Sequence, residues 1–153
     1  MNKRLFTFIT MKKNVFTLII ALFISVFSKA QEKVVTPEMQ FFTGTFQEAL
    51  VKAKEENKLV FVDAYATWCG PCKMMKSQTF TDKKVIEFYN KHFINVAMDM
   101  EKGEGLKYAA PWGITHYPTL LYFNTSGEII QNAIGFHNSW QFVELGEKVL
   151  KTK

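Results

Sequence analysis

Cysteine is nearly absent from this sequence: Cys69 and Cys72 are the only two in 153 residues. That scarcity excludes a framework of structural disulfides. It also argues against zinc, which needs about four ligands, often two such pairs. His92, His116 and His137 lie at spacings unsuited to completing a site. Copper held with His116 and Met74 is conceivable, but the expectation is no metal and no separate cofactor. Basic charge is scarce as well once the first 30 residues are set aside. Those hold Lys3, Arg4, Lys12, Lys13 and Lys29 and no acid, and without them 14 basic residues face 14 acidic ones. No basic field for nucleic acid remains. The apolar run Val15 to Phe27 has 13 residues, short of the ~20 a membrane span needs. There is no internal repeat and no low-complexity stretch. Gly103 and Gly105 lack the strand–glycine–helix context of a phosphate loop, so they read as plain loop.

What the N-terminus does have is the pattern of an export signal. Lys12 and Lys13 precede the apolar run, interrupted only by Thr17 and Ser25, and Ser28-Lys29-Ala30 offers small residues around a cleavage point. Cleavage is expected after Ala30, and Met11 is a second possible start. No cysteine follows that point, so a lipid anchor is not indicated; an uncleaved N-terminal anchor is the alternative. The expected organisation is a signal segment over 1–30, a leader over 31–44 and one domain over 45–153, with a periplasmic or otherwise exported location. Hydrophobic residues make up 48% of the chain and aromatics 15%, enough for a packed core.

Along the domain, periodicity predicts an α/β fold with a mixed sheet. Thr45-Phe46-Gln47-Glu48 forms a capping box for a helix to about Asn57, with Phe46, Leu50 and Ala53 inward. Leu59 to Ala66 is nearly all apolar, as in a central strand covered on both faces. A helix begins near Gly70 or Pro71 and runs to about Gln78. Thr81 or Asp82 caps another, with Val85, Ile86 and Tyr89 inward. Ile94–Met100 is a second strand, Leu106–Ala110 a short helix, and Tyr117–Asn124 a third strand. Glu128–Gly135 pairs back as a hairpin. Asn138 caps the last helix, with Phe142, Leu145 and Val149 toward the sheet. A first strand around Met39–Thr43 is only weakly indicated. Crossovers followed by a hairpin make the sheet mixed.

The chemistry concentrates in Trp68-Cys69-Gly70-Pro71-Cys72. A disulfide closing so small a loop restrains the unfolded chain little, so stability is a poor reason for the spacing. A dithiol switch is a better one. Cys69 sits where a strand meets a helix, near unpaired amides and the positive end of the helix dipole, which favours its thiolate. It is expected to attack a partner, and Cys72, one turn in and expected to be the more buried, to resolve the mixed disulfide. Asp63 interrupts an apolar strand six residues before Cys69. Either it is buried and exchanges a proton with Cys72 through water, or it points out at the strand end and is solvated. His116 either tunes the thiols or is a loop histidine in solvent. Pro118 opens a strand, where a proline is tolerated.

Val60-Phe-Val-Asp63-Ala-Tyr-Ala-Thr-Trp68-Cys69-Gly-Pro-Cys72-Lys73, then Tyr117-Pro118-Thr119-Leu-Leu, then Gly127 and Gly135, resembles the thioredoxin family over about residues 45–150. The resemblance implies a thioredoxin fold, a buried acid at Asp63 and a cis bond before Pro118. It also implies a peptide-binding surface around Trp68, Gly70, Pro71, Tyr117 and Pro118. Two departures stand out: Ser77 replaces a kinking proline, and Asn95 replaces the lysine usually paired with the acid. The Gln78–Asp82 stretch is similar to exported relatives, notably the C-terminal domain of the membrane transporter that carries electrons to the periplasm. The Gly-Pro dipeptide looks like the reducing members. These likenesses imply a monomeric disulfide reductase acting on disulfide-bearing envelope proteins and recharged by a membrane thiol donor. An oxidase or isomerase, or a non-catalytic binding module, is the alternative.

Overall fold

The computed structural model describes residues 38–152 of the chain. The expected signal segment lies outside them. No helix among the described residues is long and apolar enough to cross a membrane.

Helix α1 (Phe46–Glu55) starts at the expected capping box: the Glu48 amide donates to the Thr45 hydroxyl, and the Glu48 carboxylate accepts from the Thr45 amide. Its buried residues are Phe46, Ala49 and Ala53, with Leu50 half-buried beside them. Strand β1 (Leu59–Tyr65) pairs in parallel with β2 (Phe93–Asp99) and antiparallel with β3 (Thr119–Phe123), which pairs antiparallel with β4 (Ile129–Ile134). The order is β2-β1-β3-β4, so β1 is central and its apolar run is covered on both faces.

Alternation along β1 divides the core. Val60, Val62 and Ala64 pack with α1, Leu121 and Phe123. Leu59 and Phe61 pack on the other side with Leu120, Tyr122 and residues of two helices, α3 (Lys83–His92) and α5 (Ser139–Leu150). Period-two alternation puts Asp63 on this second face. There Tyr89 stacks on Phe142 at 3.9 Å, and the Tyr89 hydroxyl lies 2.7 Å from that of Tyr122 and donates to the Phe142 carbonyl at 2.8 Å. Each fully buried ring of this kind contributes about 1.5–3 kcal/mol. Helix α5 carries the Asn138 cap, with Gln141 closing a capping box, and buries Phe142, Gly146 and Val149; Leu145 is only half-buried. Asp82, not Thr81, caps α3.

The motif helix departs most from expectation. Helix α2 (Gly70–Met74) begins where Gly70 and Pro71 predict, but gives way to a π-helical turn over Met75–Thr79 instead of remaining α-helical. Such turns bend a helix much as a proline does, and this one contains Ser77. Thr79, fully buried, donates from its hydroxyl to the His137 carbonyl at 2.7 Å and ties the bend to the loop before α5.

Helix α4 (Gly105–Tyr108) is shorter than expected. Strand β3 begins only at Thr119, after a cis Tyr117–Pro118 bond. The weak first strand reduces to one parallel bridge between Phe41 and Asn95. That short N-terminal strap is nonetheless packed: Met39 is buried, and the Phe42 amide donates to the Asn95 carbonyl at 2.7 Å.

Candidate active site

Cys69 and Cys72 are joined in a disulfide, with Cα atoms 5.3 Å apart. The chain leaves β1, turns at Thr67 and Trp68, and enters α2 with Cys69 as the N-cap residue. The Cys72 amide donates to the Cys69 sulfur at 3.1 Å. Once the bond opens, that donor is already aimed at a thiolate on Cys69. The expectation that Cys72 is the more buried does not hold. Cys69 is 2% exposed and Cys72 6%, and Ala66, Tyr65 and Tyr117 pack with the pair. What separates the two sulfurs is this amide, not depth.

Asp63 is 5% exposed, which excludes the solvated alternative. Its Oδ1 has no hydrogen-bond partner in the protein. Burial pushes its carboxyl up to about 7. Asn95 shares its sheet face but does not face it as a cation would. The Asn95 amide donates instead to the Gln40 carbonyl at 3.2 Å and to Asn90 Oδ1 at 3.3 Å.

A cleft of about 380 Å³ opens behind the disulfide. It brings together Asp63 and Cys72, with Lys73 and Lys76 also lining it and Phe41, Tyr65, Phe80 and Ala97 as further walls. A carboxyl and the second cysteine thus share one partly apolar chamber with room for water. Lys76 was not singled out in the sequence, although its place four residues after Cys72 could have pointed to it. Nor was Phe41, because its place depends on a pairing far along the chain.

On the outer surface, Trp68 is 66% exposed. Its indole N–H donates to Glu101 at 2.9 Å, and its ring meets Tyr117 edge-on at 5.8 Å. Nothing in the local sequence pointed to Glu101. Gly70 and Pro71 are exposed, Tyr117 is half-buried and Pro118 is buried beneath them. His116 is exposed and bonded to Thr115 at 2.9 Å, and it does not line the cleft.

A disulfide at a strand-to-helix turn, an acid behind it and a cis proline nearby define a dithiol/disulfide exchange domain. Residues 46–150 match the family described as "Thioredoxin-like domain", and the chain belongs to that family. It is 27% identical over 108 residues to the thiol:disulfide interchange protein DsbD of Pseudoalteromonas atlantica, covering 69% of this chain but 18% of that protein. The solution structure of a candidate disulphide-isomerase from Bacteroides thetaiotaomicron superposes with a TM-score of 0.68 at 38% identity, covering 76% of this chain and 97% of that one. The oxidised C-terminal domain of Neisseria meningitidis DsbD gives 0.58 at 24% identity, over 72% and 97% respectively, a likeness of fold. The chain is thus a thioredoxin-like domain, with its Cys69–Cys72 disulfide in a Cys-Gly-Pro-Cys motif.

Proposed function

We propose that this domain is exported and reduces disulfides in envelope proteins, taking its electrons from a membrane thiol donor. The observation that carries the reading is the Cys72 amide held on the Cys69 sulfur, which supports Cys69 as the thiolate that attacks. Cys69 attacks the partner's disulfide, forming a mixed disulfide and releasing the partner's other sulfur as a thiolate. Cys72 gives its proton to the Asp63 carboxylate, attacks the Cys69 sulfur and expels the second partner thiolate. Two electrons reach the partner, and the Cys69–Cys72 bond is restored. Trp68, Gly70, Pro71, Tyr117 and Pro118 form the surface on which the partner chain lies. The Gly-Pro dipeptide, the export pattern in the first 30 residues and the DsbD likeness support this direction and place.

Isomerisation is the second reading, favoured by the likeness to the Bacteroides protein. Two measurements decide. A redox potential near −270 mV fits a reductase, and one near −120 mV overturns it. Cys72→Ser is expected to accumulate mixed disulfides through Cys69, which mass spectrometry then identifies; trapping by Cys69→Ser instead reverses the assignment.

A further inference from the structure

We propose that Phe41 is a positioning residue for the proton exchange at Asp63, closing the cleft behind the disulfide and held in place by an Asn90–Asn95 amide clamp. The proposal rests on Asp63 acting as the proton acceptor for Cys72. Phe41 belongs to no helix or strand of the fold. Yet its ring packs on Phe80 at 5.5 Å and forms part of the chamber that holds Asp63 and Cys72. Besides the burial of Met39, the strap is fastened by hydrogen bonds to two asparagines. The Gln40 amide donates to Asn90 Oδ1 at 2.9 Å, and the Asn90 amide donates to the Glu38 carbonyl at 2.9 Å. The Asn95 amide adds its bond to the Gln40 carbonyl, and its backbone carbonyl receives the Phe42 amide. Asn95 therefore spends its side chain on the strap rather than on the acid that shares its face.

The consequence concerns water. An unpartnered carboxyl stays neutral in a dry apolar site and ionises readily in a wet one. The groups that face it from each packed element are few. Tyr65 comes from its own strand, Cys72, Lys73 and Lys76 from the motif helix and its π turn, and Phe80 follows that turn; β2 contributes Ala97 and β3 pairs Leu120 against it. Of the ionisable groups among these only Cys72 is buried with Asp63; Tyr65 is half-buried and both lysines are exposed. With no cation bonded to the carboxyl, its hydration depends on the walls of the cleft, of which the Phe41 ring is one.

The experiment follows the Asp63 carboxyl by carbon-detected NMR across pH in the full chain, with the Cys69–Cys72 disulfide intact. In the native protein the inflection is expected near 7. Phe41→Ala is expected to lower it by about one pH unit or more, a tenfold change in proton affinity. Asn90→Ala should shift it the same way by less, and Phe41→Leu, which refills the wall, should restore it. Val149→Ala, a core change under α5, controls for lost stability and should leave it in place. Unmoved inflections in both Phe41→Ala and Asn90→Ala overturn the proposal, and so does an equal shift in Val149→Ala. If Phe41→Ala does not fold, Asn90→Ala and Phe41→Leu decide alone. The carboxyl signal needs no substrate and no reacting thiol. A Cys72 alkylation profile that Asp63→Asn leaves unchanged would defeat the acceptor role separately.

Discussion

With its carboxyl raised to about 7 by burial, Asp63 holds a proton that an ordinary aspartate loses near 3.8. The folded state binds that proton more tightly than the unfolded chain, so it contributes stability at low pH. The contribution is complete below about 4 and is lost as pH rises to about 7. At 1.36 kcal/mol for each tenfold change in affinity, the ceiling on this loss is about 4 kcal/mol. Asp63→Asn should therefore unfold at higher urea than the native chain at pH 8 and match it at pH 4. An equal difference at both pH values would show that ionisation is not its source. Asp63 was legible because a carboxylate interrupts an apolar strand, and its exposure was the part left open. The cysteines were legible by spacing alone. Their order of burial was not, because residues packed on the pair include Tyr117, 45 or more residues further along the chain.

Helix α5 crosses α3 at Gly146, where an added Cβ would meet Phe88 Cε1 at 2.6 Å and the Tyr89 hydroxyl at 3.1 Å. Gly146→Ala should thus destabilise the domain by about 1–3 kcal/mol by pushing the helices apart, although alanine is the better helix former. A thermal melt showing no loss would mean that Phe88 swings aside freely. The capping box at Thr45 was readable because its partner lies three residues away, and at Asn138 the cap was read but not the box that Gln141 closes. The π turn at Met75–Thr79 was not. Ser77 marked a missing proline, but the turn is anchored by Thr79 on His137 and by the His137 amide on the Met75 sulfur at 3.3 Å. Contacts across such a distance in sequence leave no local pattern.

Two apolar layers share one four-stranded sheet, and β1 buries side chains in both. The layers should therefore melt together. Urea transitions followed by tryptophan fluorescence, with Trp112 in the α1 layer, and by far-ultraviolet circular dichroism should coincide. Separated midpoints would show that one layer survives the other. The sheet's mixed order was legible from the sequence of elements, whereas the strap on β2 was only weakly so, since a single bridge pairs it with the sheet. The opposite margin of the sheet has a different consequence. Strand β4 is the outermost strand among those described, carries no charged residue in Ile-Ile-Gln-Asn-Ala-Ile, and leaves Ile129 and Ile134 41% and 57% exposed. Its outer row of peptide groups is an open template for another copy of the same strand. The shift in register between Tyr122 and Phe123 distorts the inner margin at one end. High concentration is then a condition that brings this margin against a second copy.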